Sequence, residues 1–217
     1  MRLYFPVKML EILEISWNNE IHEVTITPPD GCLDLTPFNL PLKAPFTISK
    51  SGNQLFTTTK EDLLKLERNV EIVKCNLCLD VQADKESLYP VAPTNIFYQN
   101  DYQIVFFAEL ASVYRPLPVF LSWWYEEKPW FFSVGQVPPL PQEYEGKTFV
   151  RSYAYGLFIN PEMPKGTWKV RFDFPTGRNL CCLEARLLAR NRPRYGESGV
   201  LFRPKQEGGK ILDELVE

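Results

Sequence analysis

Apolar and polar residues alternate with a period of two along most of this chain, which places successive side chains on opposite faces of extended strands. The clearest run is GTWKVRFDF, where Trp168, Val170, Phe172 and Phe174 alternate with Thr167, Lys169, Arg171 and Asp173. It predicts a strand with one buried and one wet face. Between Val70 and Leu188 the runs VEIVKCNLCLDV, YQIVFFAEL, VFLSWWYEE, PWFFSVG, TFVRSYAYGLFI and RNLCCLEARLL behave in the same way, with Pro, Asn and Gly between them. About seven short strands at this spacing predict two antiparallel sheets packed face to face, an immunoglobulin-like β-sandwich.

Residues 1–69 read as a smaller β-rich unit with one short helix. KMLEILEIS and EIHEVTIT are β-type runs around Asn18-Asn19, a pair that tolerates the positive φ of a tight hairpin. A Pro-rich connection runs from Pro28 to Pro45, and FTIS and QLFTTT form a second hairpin around Ser51-Gly52-Asn53. Thr59, with Asp62 three residues later, caps the helix KEDLLKLERN, whose inner side carries Leu63, Leu64 and Leu66. Residues 189–217 form a third, different segment: an extended tail closing in KILDELVE, where Ile211, Leu212, Leu215 and Val216 lie at helical spacing. Such a short helix needs a surface to dock on. The expected fold class is mainly β, divided as 1–69, 70–188 and 189–217.

Composition adds a core and removes several functions. Of 217 residues 45% are hydrophobic, so the chain folds rather than remaining disordered, and its 19 Pro suit short strands joined by stiff loops. The formal charge of -3 gives no overall attraction to nucleic acid or anionic lipid. Locally, Arg178, Arg186, Arg190, Arg192, Arg194, Arg203 and Lys205 outnumber Glu184 and Glu197, but no exposed aromatics interleave them as a base-stacking platform. They read as solvated charge or as a contact for the acidic closing residues. No window reaches the roughly 18 apolar residues of a membrane span, and Glu11 and Glu14 interrupt the opening apolar stretch, which makes it a poor signal peptide. The expectation is a soluble cytoplasmic protein with no membrane or nucleic-acid partner.

The stretch Val70–Leu188 resembles an uncharacterised bacterial domain-of-unknown-function family. IFYQNDYQIVFFAEL resembles that family's long central strand and SWWYEEK its Trp-rich strand with a charged turn. RSYAYGLF with PKGTWKVRFDFPTGRNL is similar to its closing strands around Gly166, Trp168, Val170 and Gly177. The resemblance implies a β-sandwich used for binding or assembly, and it carries no catalytic residue.

No Gly-rich phosphate loop, HExxH or G-x-S-x-G occurs. The single histidine, His22, shares a strand face with Val24 and Ile26 and reads as a packing or edge residue, although a pairing with Cys32 is open. The acidic residues Glu126, Glu127, Glu143, Glu145 and Glu162 read as solubilising loop carboxylates, with no separation fixed between any two. Five cysteines cannot all pair, and Cys32, Cys75, Cys78, Cys181 and Cys182 are expected to be mainly reduced thiols. A zinc site built from Cys75, Cys78, Cys181 and Cys182 is disfavoured because VEIVKCNLCLDV reads as a strand, with Val73, Cys75, Leu77, Leu79 and Val81 on one face and Cys78 on the other. No cofactor and no catalytic activity are expected.

The aromatic residues are the strongest candidates for contact. A sheet face holding Trp124, Arg151, Tyr153 and Tyr155 would suit a protein partner, since Trp, Tyr and Arg dominate interface hot spots. The same face would otherwise be covered by residues 1–69. Together with Ile211, Leu212 and Leu215 of the tail it makes the chain a non-enzymatic interaction or assembly module, with another protein or a second copy as partner. The alternative is a carbohydrate-binding module using Trp124, Trp130, Tyr153 and Tyr155.

Overall fold

The Asn18-Asn19 turn forms as expected: both residues lie in the left-handed region, at φ 49° and 64°. They join strands β2 (Glu11–Trp17) and β3 (Glu20–Ile26). The computed structural model describes residues 1–83, 87–139 and 150–189. Strands β5 (Phe46–Lys50) and β6 (Asn53–Thr58) meet at Ser51 and Gly52, again at positive φ, and complete an antiparallel sheet ordered β3-β2-β5-β6. Two strands here lie outside the runs that the sequence marks as strands. Strand β1 (Arg2–Pro6) pairs antiparallel with β4 (Asp30–Asp34), and the two form a separate small sheet. The sides of these two sheets that face each other bury Leu3, Phe5, Leu13, Ile15, Leu33, Phe46, Ile48 and Phe56 in one cluster.

Helix α1 (Lys60–Asn69) starts where the capping pattern places it: the Thr59 side chain accepts a hydrogen bond from the Asp62 N–H at 3.0 Å. Its buried residues are Leu63 and Leu66, while Leu64 is exposed, contrary to the expectation of three inward leucines. Each residue turns the helix by about 100°, so a stripe through Leu63 and Leu66 leaves Leu64 outside it. Leu63 enters the cluster of the N-terminal sheets and Leu66 enters the larger cluster beyond.

That larger cluster is the inside of a β-sandwich. One sheet is ordered β13-β10-β7-β8, from β7 (Glu71–Ala83), β8 (Leu88–Pro93), β10 (Gln103–Ala111) and β13 (Val150–Phe158). The other is ordered β12-β11-β14-β15-β9, from β9 (Ile96–Tyr98), β11 (Leu117–Tyr125), β12 (Lys128–Val137), β14 (Gly166–Asp173) and β15 (Asn179–Leu188). Ile104, Phe106 and Ala108 of β10 face Leu121, Trp123, Trp168, Val170 and Phe172 across the gap, with Phe106 and Phe172 centroids 4.9 Å apart. Among the described residues all strand pairings are antiparallel except β15 with β9. The chain is thus mainly β, an immunoglobulin-like sandwich with additional β sheets and, among the described residues, one α-helix, as the periodicity predicts.

Bulges change which residues face inward. Lys74 pairs with Glu109 and Ile72 with Leu110, so Val73 is the extra residue of β7 and is exposed rather than aligned with Cys75 and Leu77. On β7's other side, Cys78 is fully buried with Val105, Phe107 and Ala154. This side is concave: β8 approaches β13 although β7 and β10 lie between them in the hydrogen-bond order, so the sheet curls over a small second core. On β14 the outer face is not uniformly wet, because Asp173 is only 5% exposed.

Candidate functional site

The five-stranded sheet turns its outer face toward the N-terminal sheets. Phe120 of β11 leaves the sandwich core and joins the N-terminal cluster, 4.9 Å from the Phe5 ring and 5.1 Å from Phe132. The Tyr4 N–H donates to the Pro175 carbonyl at 2.8 Å, and the Tyr4 ring lies against Gly177, whose φ of 89° and lack of a side chain permit that approach.

Trp124 belongs to this junction. It is 6% exposed, its indole N–H donates to Ser122 Oγ at 2.8 Å, and the Arg171 guanidinium lies 5.2 Å above its ring. Arg171 is 3.2 Å from Asp173 and 3.9 Å from Asp30 of β4, so one cation ties the covered tryptophan to the N-terminal sheet. Asp173 also accepts from the Asn179 amide at 2.7 Å. Desolvation pushes the Asp173 carboxyl above its ordinary range, against the opposing effects of Asn179 and Arg171.

Tyr153 and Tyr155 point the other way. Both side chains pack into the sandwich interior from β13, Tyr153 stacked on Phe172 at 5.4 Å and Tyr155 6.1 Å from Phe131. Burial raises the Tyr153 hydroxyl above the usual phenol range. Arg151, on the same strand, is half-buried and donates to the Pro138 and Pro139 carbonyls. The single aromatic face expected from Trp124, Arg151, Tyr153 and Tyr155 therefore does not exist. These residues sit in different sheets, one group outside the sandwich and the other within it. The carbohydrate platform of Trp124, Trp130, Tyr153 and Tyr155 fails for the same reason. Ile211, Leu212 and Leu215 lie outside the described residues.

Trp130 is the candidate that remains at the surface, 36% exposed. Trp123 pairs with Phe131 and Trp124 with Pro129, so Trp130 is the bulged residue of β12. Its ring meets that of buried Trp168 edge-to-face at 5.6 Å, and Lys8 Nζ lies 4.5 Å from its centroid. Lys8 brings in the β1–β2 loop, where Met9 is 64% and Leu10 60% exposed. Both fall in the β-type run KMLEILEIS of the sequence, but β2 begins only at Glu11, which leaves Met9 and Leu10 in the loop. Lys8 is thus the residue that links this loop to Trp130, and Met9 and Leu10 are the exposed apolar residues that follow it in the chain.

The cysteines divide by face. Cys75 of β7 and Cys181 of β15 point into the sandwich from opposite sheets and form a disulfide, which corrects the expectation of reduced thiols at these two positions. The expectation erred because Cys75 and Cys181 are 106 residues apart in sequence and only the stacking of the sheets brings them together. Cys32 and Cys182 are exposed free thiols. The buried Cys78 thiol is pushed up to about 12 by desolvation and lies 3.6 Å from the Val105 carbonyl. Cys75 and Cys78 occupy opposite faces of β7, so no four-thiolate set assembles. Among the described residues no group of three or more His, Cys, Asp or Glu side chains could hold a metal ion. His22 stacks on Trp17 at 4.6 Å and lies 5.4 Å from Phe38 and 3.4 Å from Glu20, while Cys32 belongs to β4.

No family model matches the chain. No curated protein matches it. Among solved structures it is similar to an immunoglobulin-like protein from Pseudomonas aeruginosa, with 17% identity over 55% of this chain and 96% of that one, at a TM-score of 0.35. No helix among the described residues is long and apolar enough to cross a membrane.

Proposed function

We propose that the chain is a non-enzymatic interaction or assembly module that holds a protein partner through the surface formed by Met9, Leu10 and Trp130. The observation that carries this reading is the contact of Lys8 with an exposed Trp130 that packs on buried Trp168, with the exposed Met9 and Leu10 next to Lys8 in the same loop. An amphipathic ring anchored at one edge presents large contact area at little entropic cost, which is the usual character of an interface hot spot. The C-terminal residues Ile211, Leu212 and Leu215 remain a second proposed contact, supported by their helical spacing. Membership of the uncharacterised bacterial immunoglobulin-like family is likewise proposed, on Gly166, Trp168 and Val170 of β14.

The test uses the immobilised full chain in extract of its native cells, compared with Leu10→Ser/Trp130→Ala. The expected result is retention of one partner in stoichiometric amount by the wild type and a tenfold or greater loss by the variant. Equal retention by both removes this surface from the proposal, and no retention by either removes the interaction reading.

A further inference from the structure

The Cys75–Cys181 bridge connects β7 of one sheet to β15 of the other, and both cysteines belong to or pack against the principal core. The three remaining thiols have separate surroundings: Cys78 is enclosed on the far side of β7, and Cys32 and Cys182 are exposed on β4 and β15. Of the five, one pair meets, and it meets where it joins the two layers. Disulfides of this kind persist where the surroundings are oxidising and are rare where thiol buffers keep cysteines reduced.

We infer that the chain matures in an oxidising compartment, and that the Cys75–Cys181 bridge is the inter-sheet link it acquires there. This compartment differs from the cytoplasmic location expected from the lack of an apolar span or signal-like start, and its bridge from the reduced thiols expected of five cysteines. Formation requires a thiol oxidant bearing a disulfide, such as glutathione disulfide or a dithiol oxidase. One protein thiolate attacks the oxidant to give a mixed disulfide and release one thiol. The second protein thiolate then displaces the other half, closing Cys75 to Cys181 and releasing a second thiol. Two electrons pass from the protein to the oxidant.

The measurement is thiol trapping by rapid alkylation of native cells, followed by denaturation, a second round of alkylation and mass analysis of the full chain. The expected result is alkylation of Cys32, Cys78 and Cys182 alone, with Cys75 and Cys181 recovered as one linked peptide. Five alkylated cysteines would overturn the inference. A second readout does not depend on any variant folding: a reductant is expected to lower the unfolding temperature of the purified oxidised chain by about 10 °C, as removal of a cross-link closing a loop of this length implies. An unchanged midpoint after full reduction, verified by five free thiols, would show that the bridge is not a structural link. Neither result bears on the Met9, Leu10 and Trp130 surface, so the two proposals fail independently.

Discussion

At the scale of single residues, the sandwich interior is set by close approaches that leave no room for added atoms. Gly135 of β12 faces Tyr153 of β13, and a methyl group there would overlap the tyrosine hydroxyl. Gly135→Ala is expected to cost about 1–3 kcal/mol, the usual range for overpacking. A urea midpoint unchanged from wild type would show that Tyr153 can move aside. Asp173 gives a pH dependence. Its folded pKa is raised above the unfolded value, so the folded state binds the proton more tightly. The stability this group contributes is fully present below about pH 4 and is lost as pH rises through the folded pKa. Relative to wild type, Asp173→Asn is therefore expected to gain stability between pH 4 and pH 7, measured by urea midpoints at both values. A constant difference between the two proteins would contradict the assignment.

At the scale of elements, what the sequence makes visible is whatever repeats locally. Trp168, Val170 and Phe172 reveal β14, the paired asparagines reveal the first hairpin, and Thr59 with Asp62 reveals the start of α1. Thr59→Ala is expected to cost about 1 kcal/mol by removing the acceptor for the Asp62 N–H, read as a shift in the denaturation midpoint. No shift would mean that tertiary packing alone holds the helix end. What the sequence hides has three physical causes. β8 contains Pro90 and Pro93, which cannot donate to a ladder and break the strand signal, although an edge strand tolerates them. β9 has three residues, too few to show a period. The bulges at Val73 and Trp130 each add a residue that shifts the inward register, and strict alternation cannot anticipate them.

The same limit governs the candidate site. Composition directs attention to Trp130, but alternation says only which residues of one strand share a face. It does not say that β11 and β13 belong to different sheets, which separates Trp124 from Tyr153 and Tyr155. The loop of Met9 and Leu10 is linked to Trp130 by the Lys8 contact, a tertiary event with no local signature.

At the scale of the whole molecule, the N-terminal sheets and the sandwich share residues rather than merely touching. Phe120 of the sandwich lies in the N-terminal cluster, and α1 sends Leu63 to one cluster and Leu66 to the other. Phe120→Ala is expected to cost about 3–5 kcal/mol and to lower a single unfolding transition seen equally by tryptophan fluorescence and far-ultraviolet dichroism. Two separate transitions in the wild type would contradict this coupling. Lys8 of the β1–β2 loop contacts Trp130 of β12, and the proposed contact surface draws on both elements.

The most direct test of that surface is hydrogen–deuterium exchange of the full chain, alone and with the partner captured from native extract. The account predicts new protection in residues 8–12 and 128–132, with residues 151–155 unchanged because their tyrosines already face the interior. Protection confined to residues 151–155 or to the sandwich edges, with the β1–β2 loop exchanging as in the free chain, would contradict it.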